Sequence, residues 1–374
     1  MRKIMTIIGT RPELIKMSSV IKEFDRYTDH ILVHTGQNYD YELNEVFYRD
    51  FSIDKPKHYL GVAEDTVAAS IANIIVKSDE VMALEQPDAL LLYGDTNSCL
   101  SVLSAKRRKI PVFHMEAGNR CYDQRVPEEI NRKVVDHLSD INLVLAERAR
   151  ANLVAEGIPA ERIFKTGSHM FEILQRHKQE IAASDALERL ELERGKYFIV
   201  SSHREETVDD PKTLADLLFT LNHLADEYEY PVIVSTHPRT RLRIEREKYT
   251  SLNERIRFSK PFGFFDYIKL QSNAYCVLSD SGTLTEEASI LKFPSVMIRS
   301  VHERPEGMDA GITIMCGTSR AEVADAVRIA ADQFHVRNFT MPSVREYEND
   351  NASSQILRIV LSYIDYVNRV VWSK

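Results

Sequence analysis

The sequence predicts two doubly wound α/β domains. Three observations carry that expectation. Short apolar, β-branched runs alternate with amphipathic helical patterns in both halves of the chain. The runs are apolar on both faces, as strands covered by helices on each side must be. Charged and hydroxylated side chains crowd the positions where the runs end. With 374 residues the chain is long enough for two domains of ordinary size.

In the first half the expected strands are 3–8 (KIMTII), 30–35 (HILVHT), 89–93 (ALLLY), 110–115 (IPVFHM) and 141–145 (INLVL). Between them, 66–85 repeats Val67, Ile71, Ile74, Ile75, Met82 and Leu84 near helical spacing. In the second half the strands are 197–202, 231–236, 255–259, 275–279 and 295–299, with helical patterns at 211–227, 284–292 and 320–334. Residues 168–195 read as a helix followed by the charged LERLELERGK. This places a first domain at 1–170, a hinge at 171–195 and a second domain at 196–345. The last segment, 354–372, is an amphipathic helix with Ile356, Ile359, Val360, Tyr363, Ile364, Val367 and Val371 on its apolar side.

Composition narrows the function. Asp and Glu outnumber Lys and Arg by 56 to 48, a formal charge of −8, which argues against general nucleic-acid binding because that needs a basic surface. A local field can still favour a small anion. The four cysteines, Cys99, Cys121, Cys276 and Cys316, form no C-x-x-C pair, so neither a disulfide framework nor a zinc knuckle is expected and a reducing cytoplasm fits. There is no run of about eighteen apolar residues to span a membrane. MRKIMTIIGTRPE reads as a first strand, not as a signal peptide.

In doubly wound sheets ligands bind beyond the carboxyl ends of the strands, which places the expected site in the cleft between the two domains. Those ends carry Arg11, Glu13 and Lys16; Gln37; Asp95; Glu116, Asp123, Glu128 and Glu129; His203, Arg204 and Glu205; His237 and Arg239; and Arg299, Glu303, Arg304 and Glu306. Asp95 and Glu116 follow neighbouring apolar strands, so their carboxylates are expected in partly desolvated surroundings suited to proton transfer. DSGTLTEEA at 280–288 ends a strand, turns on Ser281-Gly282-Thr283 and starts a helix, an arrangement that favours a phosphate or diphosphate. Glu287, one turn in, is placed to take a ribose diol. An N-cap followed by first-turn acids explains the same residues. HREET at 203–207 lacks the helical H-E-x-x-H spacing, so His203 beside Arg204 reads as an anion clamp or proton donor and not as a metal ligand. His237 before Pro238 also reads as a structural loop histidine.

There is no G-x-G-x-x-G, no G-x-x-x-x-G-K-[ST], no D-x-D triplet and no G-x-S-x-G elbow. What the chain does carry, in order, is GTRPE at 9–13 with Lys16, GDT at 94–96, HMEAG at 114–118, PEEINR at 127–132, SHRE at 202–205, DSG at 280–282 with EEA at 286–288, and ERPE at 303–306. Together these resemble the non-hydrolysing UDP-N-acetylglucosamine 2-epimerase family. The resemblance implies the GT-B fold, with the C-terminal helix 354–372 completing the first domain. It implies inversion at C2 of a UDP-sugar, without NAD or metal, by anti elimination of UDP to a glycal and re-addition. It also implies a homodimer. Carried over by motif, the catalytic set is Asp95, Glu116, Glu128 and His203. The substrate and UDP set is Arg11, Lys16, Gln37, Arg132, His237, Ser281, Gly282, Glu287, Arg299 and Arg304. No cofactor, nucleic acid or membrane partner is expected.

One stretch departs from the family pattern. HVEAGLR and a tryptophan-containing loop are usual there; this chain reads HMEAGNRCYDQRVPEE, with Asn119 in place of Leu. The variant resembles the branch that makes UDP-N-acetyl-L-fucosamine from the 2-acetamido-2,6-dideoxy-L-talose epimer, a bacterial capsule and O-antigen precursor. It also puts the common branch's activation by substrate in doubt. The alternatives are an ordinary UDP-N-acetylglucosamine 2-epimerase, a GT-B glycosyltransferase and a non-catalytic nucleotide-sugar sensor.

Overall fold

The computed structural model describes residues 1–37, 47–202, 211–236 and 252–374. His203, Arg204, Glu205, His237 and Arg239 lie outside the described residues. The chain divides into two units, Met1–Gln175 with Glu346–Lys374, and Arg176–Arg345.

Unit 1 is built on a seven-stranded parallel sheet in the order β3-β2-β1-β4-β5-β6-β7. Its elements are β1 (Lys3–Ile8), α1 (Arg11–Tyr27), β2 (Asp29–His34), β3 (His58–Tyr59), α2 (Val67–Glu85), β4 (Ala89–Tyr93), α3 (Val102–Arg107), β5 (Val112–Met115), α4 (Pro127–Leu138), β6 (Ile141–Val144), α5 (Glu147–Ala155) and β7 (Ile163–Lys165). One side of the sheet buries Met5, Ile7, Leu90, Leu92 and Val112 against Met82, Val102 and Val135. Register decides where function sits: Ile8 pairs with His34 and Tyr93 with Met115, so the loops after β1, β2, β4 and β5 leave the sheet at one edge. The C-terminal helix, Ala352–Trp372, also belongs to unit 1; Ser354 Oγ donates to Glu23 of α1 at 2.7 Å, and buried Glu172 accepts from the Ser353 amide at 2.9 Å.

Unit 2 carries a six-stranded parallel sheet in the order β10-β9-β8-β11-β12-β13. Its elements are β8 (Phe198–Ser201), α6 (Pro211–Tyr228), β9 (Val232–Ser235), β10 (Ile256–Ser259), α7 (Phe264–Asn273), β11 (Cys276–Ser279), α8 (Leu284–Leu291), β12 (Ser295–Met297), β13 (Ile314–Met315) and α9 (Arg320–Ala331). Its core joins Phe198, Val200, Val232, Leu278 and Val296 to Leu217, Leu221 and Val327. Two doubly wound parallel sheets are the architecture the sequence predicts.

Some local expectations are corrected. β3, β7 and β13 have only two or three residues, too few to show as apolar runs. The single helix expected after residue 168 is three short ones, Met170–Arg176, Lys178–Ala183 and Ala186–Arg189. α9 ends at Ala331 and continues as a π turn over Asp332–Val336. Val67 and Leu84, expected on the buried side of α2, are 68% and 73% exposed; that helix buries Ile74, Ser78, Met82 and Glu85 instead.

Candidate active site

The loop after β1 is held by a capping box. Thr10 Oγ1 accepts from the Glu13 amide at 3.4 Å, while Glu13 Oε2 accepts from the Thr10 and Gly9 amides at 2.7 and 2.9 Å. Glu13 Oε1 also accepts from Thr96 Oγ1 at 2.8 Å, which ties this loop to the residue after Asp95. Burial pushes the Glu13 carboxyl up to about 7, against hydrogen bonds from Gly9, Thr10 and Thr96 that favour the charged form. Beside the cap, Arg11 lies over the Phe47 ring, 5.3 Å from its centroid. Gln37, after β2, accepts from Ser98 Oγ at 3.4 Å.

Asp95 follows β4 through Gly94, whose φ of +72° suits glycine. The carboxylate is partly buried, as the sequence predicts, and it is also held by an ion pair that the sequence does not show. Arg132 Nε donates to Asp95 Oδ2 at 3.1 Å, Arg132 Nη2 also pairs with it, and Asn131 Nδ2 holds its carbonyl at 3.0 Å. Arg132 donates in addition to buried Glu129 at 2.9 Å. The reason is helix phase: Pro127 starts α4 so that its first turns face the end of β4.

Glu116 is the first residue beyond β5. It is buried, as expected, and it adopts a left-handed φ of +61°, rare for a side chain of its kind. Its Oε2 accepts from Lys16 Nζ at 3.1 Å and from the Tyr93 hydroxyl. Lys16 Nζ also lies 5.2 Å from the centre of the Tyr93 ring. Glu128 is half-buried in the first turn of α4, one turn before Arg132. Unit 1 therefore brings Arg11, Lys16, Gln37, Asp95, Glu116, Glu128 and Arg132 to one edge of its sheet.

The loop between Glu116 and Glu128 is tied down from below. Glu129 accepts from the Cys121 amide at 3.0 Å and the Tyr122 amide at 3.3 Å. Asn119 is buried, and its Nδ2 has no hydrogen-bond partner among the described residues. Arg120 is buried between Asp136 and Glu156. Asp136 was not singled out by the sequence reading, and Glu129 and His114 were given no role of their own. Their signal was available: Asp136 continues the four-residue spacing from Glu128 and Arg132 along one helix face.

In unit 2, β11 leads into Asp280, which is buried and accepts from Ser202 Oγ at 2.9 Å. Ser281 Oγ and Thr283 Oγ1 lie 2.9 Å apart in the turn before α8. Gly282 has an ordinary φ, and a Cβ there would sit at a comfortable 3.6 Å from Glu303 Oε2, so neither crowding nor backbone twist demands glycine. Glu287 is buried and accepts from Gln271 Nε2 at 2.8 Å. Arg299 and Arg304 are already engaged in buried ion pairs: Arg299 makes a fork to Glu303 at 3.0 and 2.8 Å, and Arg304 Nε donates to Glu286 at 2.7 Å. The two basic side chains that follow β12 are therefore each paired with a carboxylate, which sequence reading did not anticipate. Among the described residues no cluster of His, Cys, Asp or Glu is placed to hold a metal ion, and no helix is long and apolar enough to cross a membrane.

A family model described as UDP-N-acetylglucosamine 2-epimerase matches residues 22–361. The chain belongs to the UDP-N-acetylglucosamine 2-epimerase family. It is accordingly an isomerase, a UDP-sugar 2-epimerase. A solved 2-epimerase structure from Rickettsia bellii is 56% identical, with TM-score 0.94 and full coverage of both chains. The 2-epimerase of Methanocaldococcus jannaschii, solved with UDP-GlcNAc and UDP, is 31% identical with TM-score 0.88, covering 96% of this chain and 99% of that one. The UDP-2,3-diacetamido-2,3-dideoxy-D-glucuronate 2-epimerase of Pseudomonas aeruginosa is 33% identical over 331 residues, covering 87% of this chain and 91% of that epimerase.

Proposed function

We propose that this 2-epimerase inverts C2 of a UDP-N-acetyl-6-deoxy-L-hexosamine, converting the L-talosamine-type epimer to UDP-N-acetyl-L-fucosamine for capsule or O-antigen synthesis. UDP leaves C1 with the bonding pair while a carboxylate takes the C2 proton from the anti face, giving a glycal. UDP then re-adds at C1 and C2 is protonated on the opposite face. The C2 proton is not activated by a carbonyl, so cleavage at C1 leads and carboxylates must serve both faces. In this reading Asp95, Glu116 and Glu128 are those carboxylates. Lys16, Arg11 and Arg132 set the charge around the sugar, with Gln37 beside them. Ser281, Gly282, Glu287, Arg299 and Arg304 form the UDP site with His237, and His203 completes the catalytic set.

The observation that carries the choice of sugar is the 119–126 loop. It joins Glu116 to Glu128, and Asn119 puts a buried amide where the common pattern has Leu. A loop of altered chemistry between two acid/base carboxylates is a fitting place to accept a C6 methyl and an inverted chair. The Pseudomonas aeruginosa relative, whose sugar is a diacetamido glucuronate, supports the view that this family admits several sugars. The second reading is an ordinary UDP-N-acetylglucosamine 2-epimerase, favoured by the names of the Rickettsia bellii and Methanocaldococcus jannaschii relatives. A GT-B glycosyltransferase would need an acceptor and no carboxylates facing C2.

NMR of the protein incubated separately with UDP-N-acetyl-L-fucosamine and UDP-N-acetylglucosamine tests this. The proposal expects a C2 epimer from the first; an epimer from the second alone would replace it with the second reading. We further place the reaction in the cytoplasm, where the four free thiols are stable, and infer a homodimer. The exposed face of α2 that carries Ala68, Ala72, Val76 and Ala83 supports such pairing.

A further inference from the structure

The two turns of unit 1 that bear Asp95 and Glu116 converge on one side chain, Asp136 of α4, which is fully buried. Its Oδ1 lies 2.8 Å from His114 Nδ1, both its oxygens accept from the Gly118 amide at 3.2 and 3.1 Å, and Oδ2 accepts from Arg120 Nη1 at 2.7 Å. The other imidazole nitrogen, Nε2, lies 2.6 Å from the Gly94 carbonyl oxygen. A carbonyl oxygen and a carboxylate both only accept, so the two contacts together call for a hydrogen on each ring nitrogen. One carboxylate is thus tied directly to the residue two beyond Glu116, and through one imidazole to the residue before Asp95.

The backbone explains why such ties matter. Gly94, Glu116 and Gly118 all have left-handed φ, at +72°, +61° and +78°. A non-glycine residue in that region costs on the order of 1–3 kcal/mol and persists only where its surroundings over-determine it. Gly118 also passes tight against α5, where a Cβ would fall 2.4 Å from the Ala149 carbonyl oxygen. Along α4, Glu128, Arg132 and Asp136 recur every four residues, one face of the helix. Arg132 holds the Asp95 side chain, and Asp136 holds the turn that follows Glu116.

We propose that Asp136 is a positioning residue for the C2 chemistry: with His114 it sets the spacing of the Asp95 and Glu116 carboxylates, with α4 as their common frame. This rests on the reading above that those carboxylates handle the C2 proton. The competing role is stability alone, through the buried Arg120 pair. Glu156 separates the two. It sits at the outer end of the same network, accepting from Arg120 Nε and Nη2 at 2.8 and 2.6 Å, and among the described residues its side chain bonds neither the 94–95 turn nor the Gly118 amide.

Asp136→Asn keeps the volume but turns one acceptor oxygen into a donor facing the Gly118 amide or Arg120. Its kcat for C2 proton exchange is expected to fall about a hundredfold, the scale of a misplacement of roughly 1 Å, with KM and UDP affinity unchanged. Glu156→Gln should lower the melting temperature and leave kcat unchanged. A wild-type kcat in Asp136→Asn, or kcat losses in both variants that track their loss of melting temperature, would overturn the proposal. If Asp136→Asn does not fold, His114→Gln takes its place: it spares the Asp136 contacts to Gly118 and Arg120, the same drop in kcat is expected, and an unchanged kcat overturns the role. Glu116→Gln is measured in parallel. Retained exchange in that variant sinks the functional reading itself, and so is distinguished from failure of the Asp136 role.

Discussion

Lys16 Nζ lies 3.1 Å from Glu116 Oε2, in a pair whose side chains are only 12% and 10% exposed. The contact joins the second turn of α1 to the first residue beyond β5, and it leaves a base candidate paired with its own cation. Breaking a buried pair by removing one partner is costly, about 3–5 kcal/mol. Lys16→Met is therefore expected to lower both the melting temperature and the rate of C2 exchange, the rate by about a hundredfold. UDP binding measured by calorimetry should change far less, because the UDP residues proposed here lie in the other unit. A variant with normal exchange would show that the pair is only structural.

Arg132 serves two carboxylates at once, Asp95 and Glu129. Its planar fork permits this, and a lysine ammonium at the same place does not reproduce it. Arg132→Lys should lose at least one charge-assisted hydrogen bond, worth roughly 1.5–3 kcal/mol, and so lower kcat/KM roughly tenfold to a hundredfold. Steady-state kinetics with the epimerising sugar would check it, and a change confined to KM would contradict the role given to Asp95.

Glu13 makes a prediction about pH. Its carboxyl is raised to about 7 in the folded protein, from an ordinary value of 4.5, chiefly by burial. The folded state then holds this proton more tightly than the unfolded chain. The associated stability is fully present below pH 4.5 and is lost as pH rises through 7, about 3 kcal/mol in all. Denaturant titrations at pH 5 and pH 8 should show that slope in the wild type and a flatter one in Glu13→Gln. Equal slopes would contradict the raised carboxyl.

The ribose reading of Glu287 is testable without turnover. The Glu287 carboxylate accepts a hydrogen bond from Gln271, and the proposed reading has it also meet a sugar diol. Glu287→Gln should bind UDP about tenfold more weakly, the scale of one hydrogen bond to a charged group, and should bind 2′-deoxy-UDP with little further loss. Undiminished discrimination between the two nucleotides would contradict it.

Much of this was legible in the chain. Apolar runs such as KIMTII and ALLLY announce central strands because both their faces are buried, and register then brings the ends of β1, β2, β4 and β5 together, so the placing of Asp95 and Glu116 at one sheet edge was readable. Glu129 and Asp136 were harder, because an acid inside PEEINRKVVDHL looks like a solvated helix face until its partners are known. His114 read as part of a strand. The pairing of Arg299 and Arg304 was hidden for a related reason. Sequence shows two cations near two acids but not that Glu303 and Glu286 already hold them. Glu13 was named only as a charge at a strand end, because its bond to Thr96 links segments far apart in sequence.

The most direct test of the account is proton exchange at C2. Wild-type protein and Glu116→Gln are incubated with UDP-N-acetyl-L-fucosamine in D₂O, without NAD or added metal, and C2 is examined by NMR and mass spectrometry. The account predicts deuterium at C2 with the wild type and none with Glu116→Gln, while both bind UDP. No deuterium with the wild type, or equal incorporation by the two proteins, would contradict it.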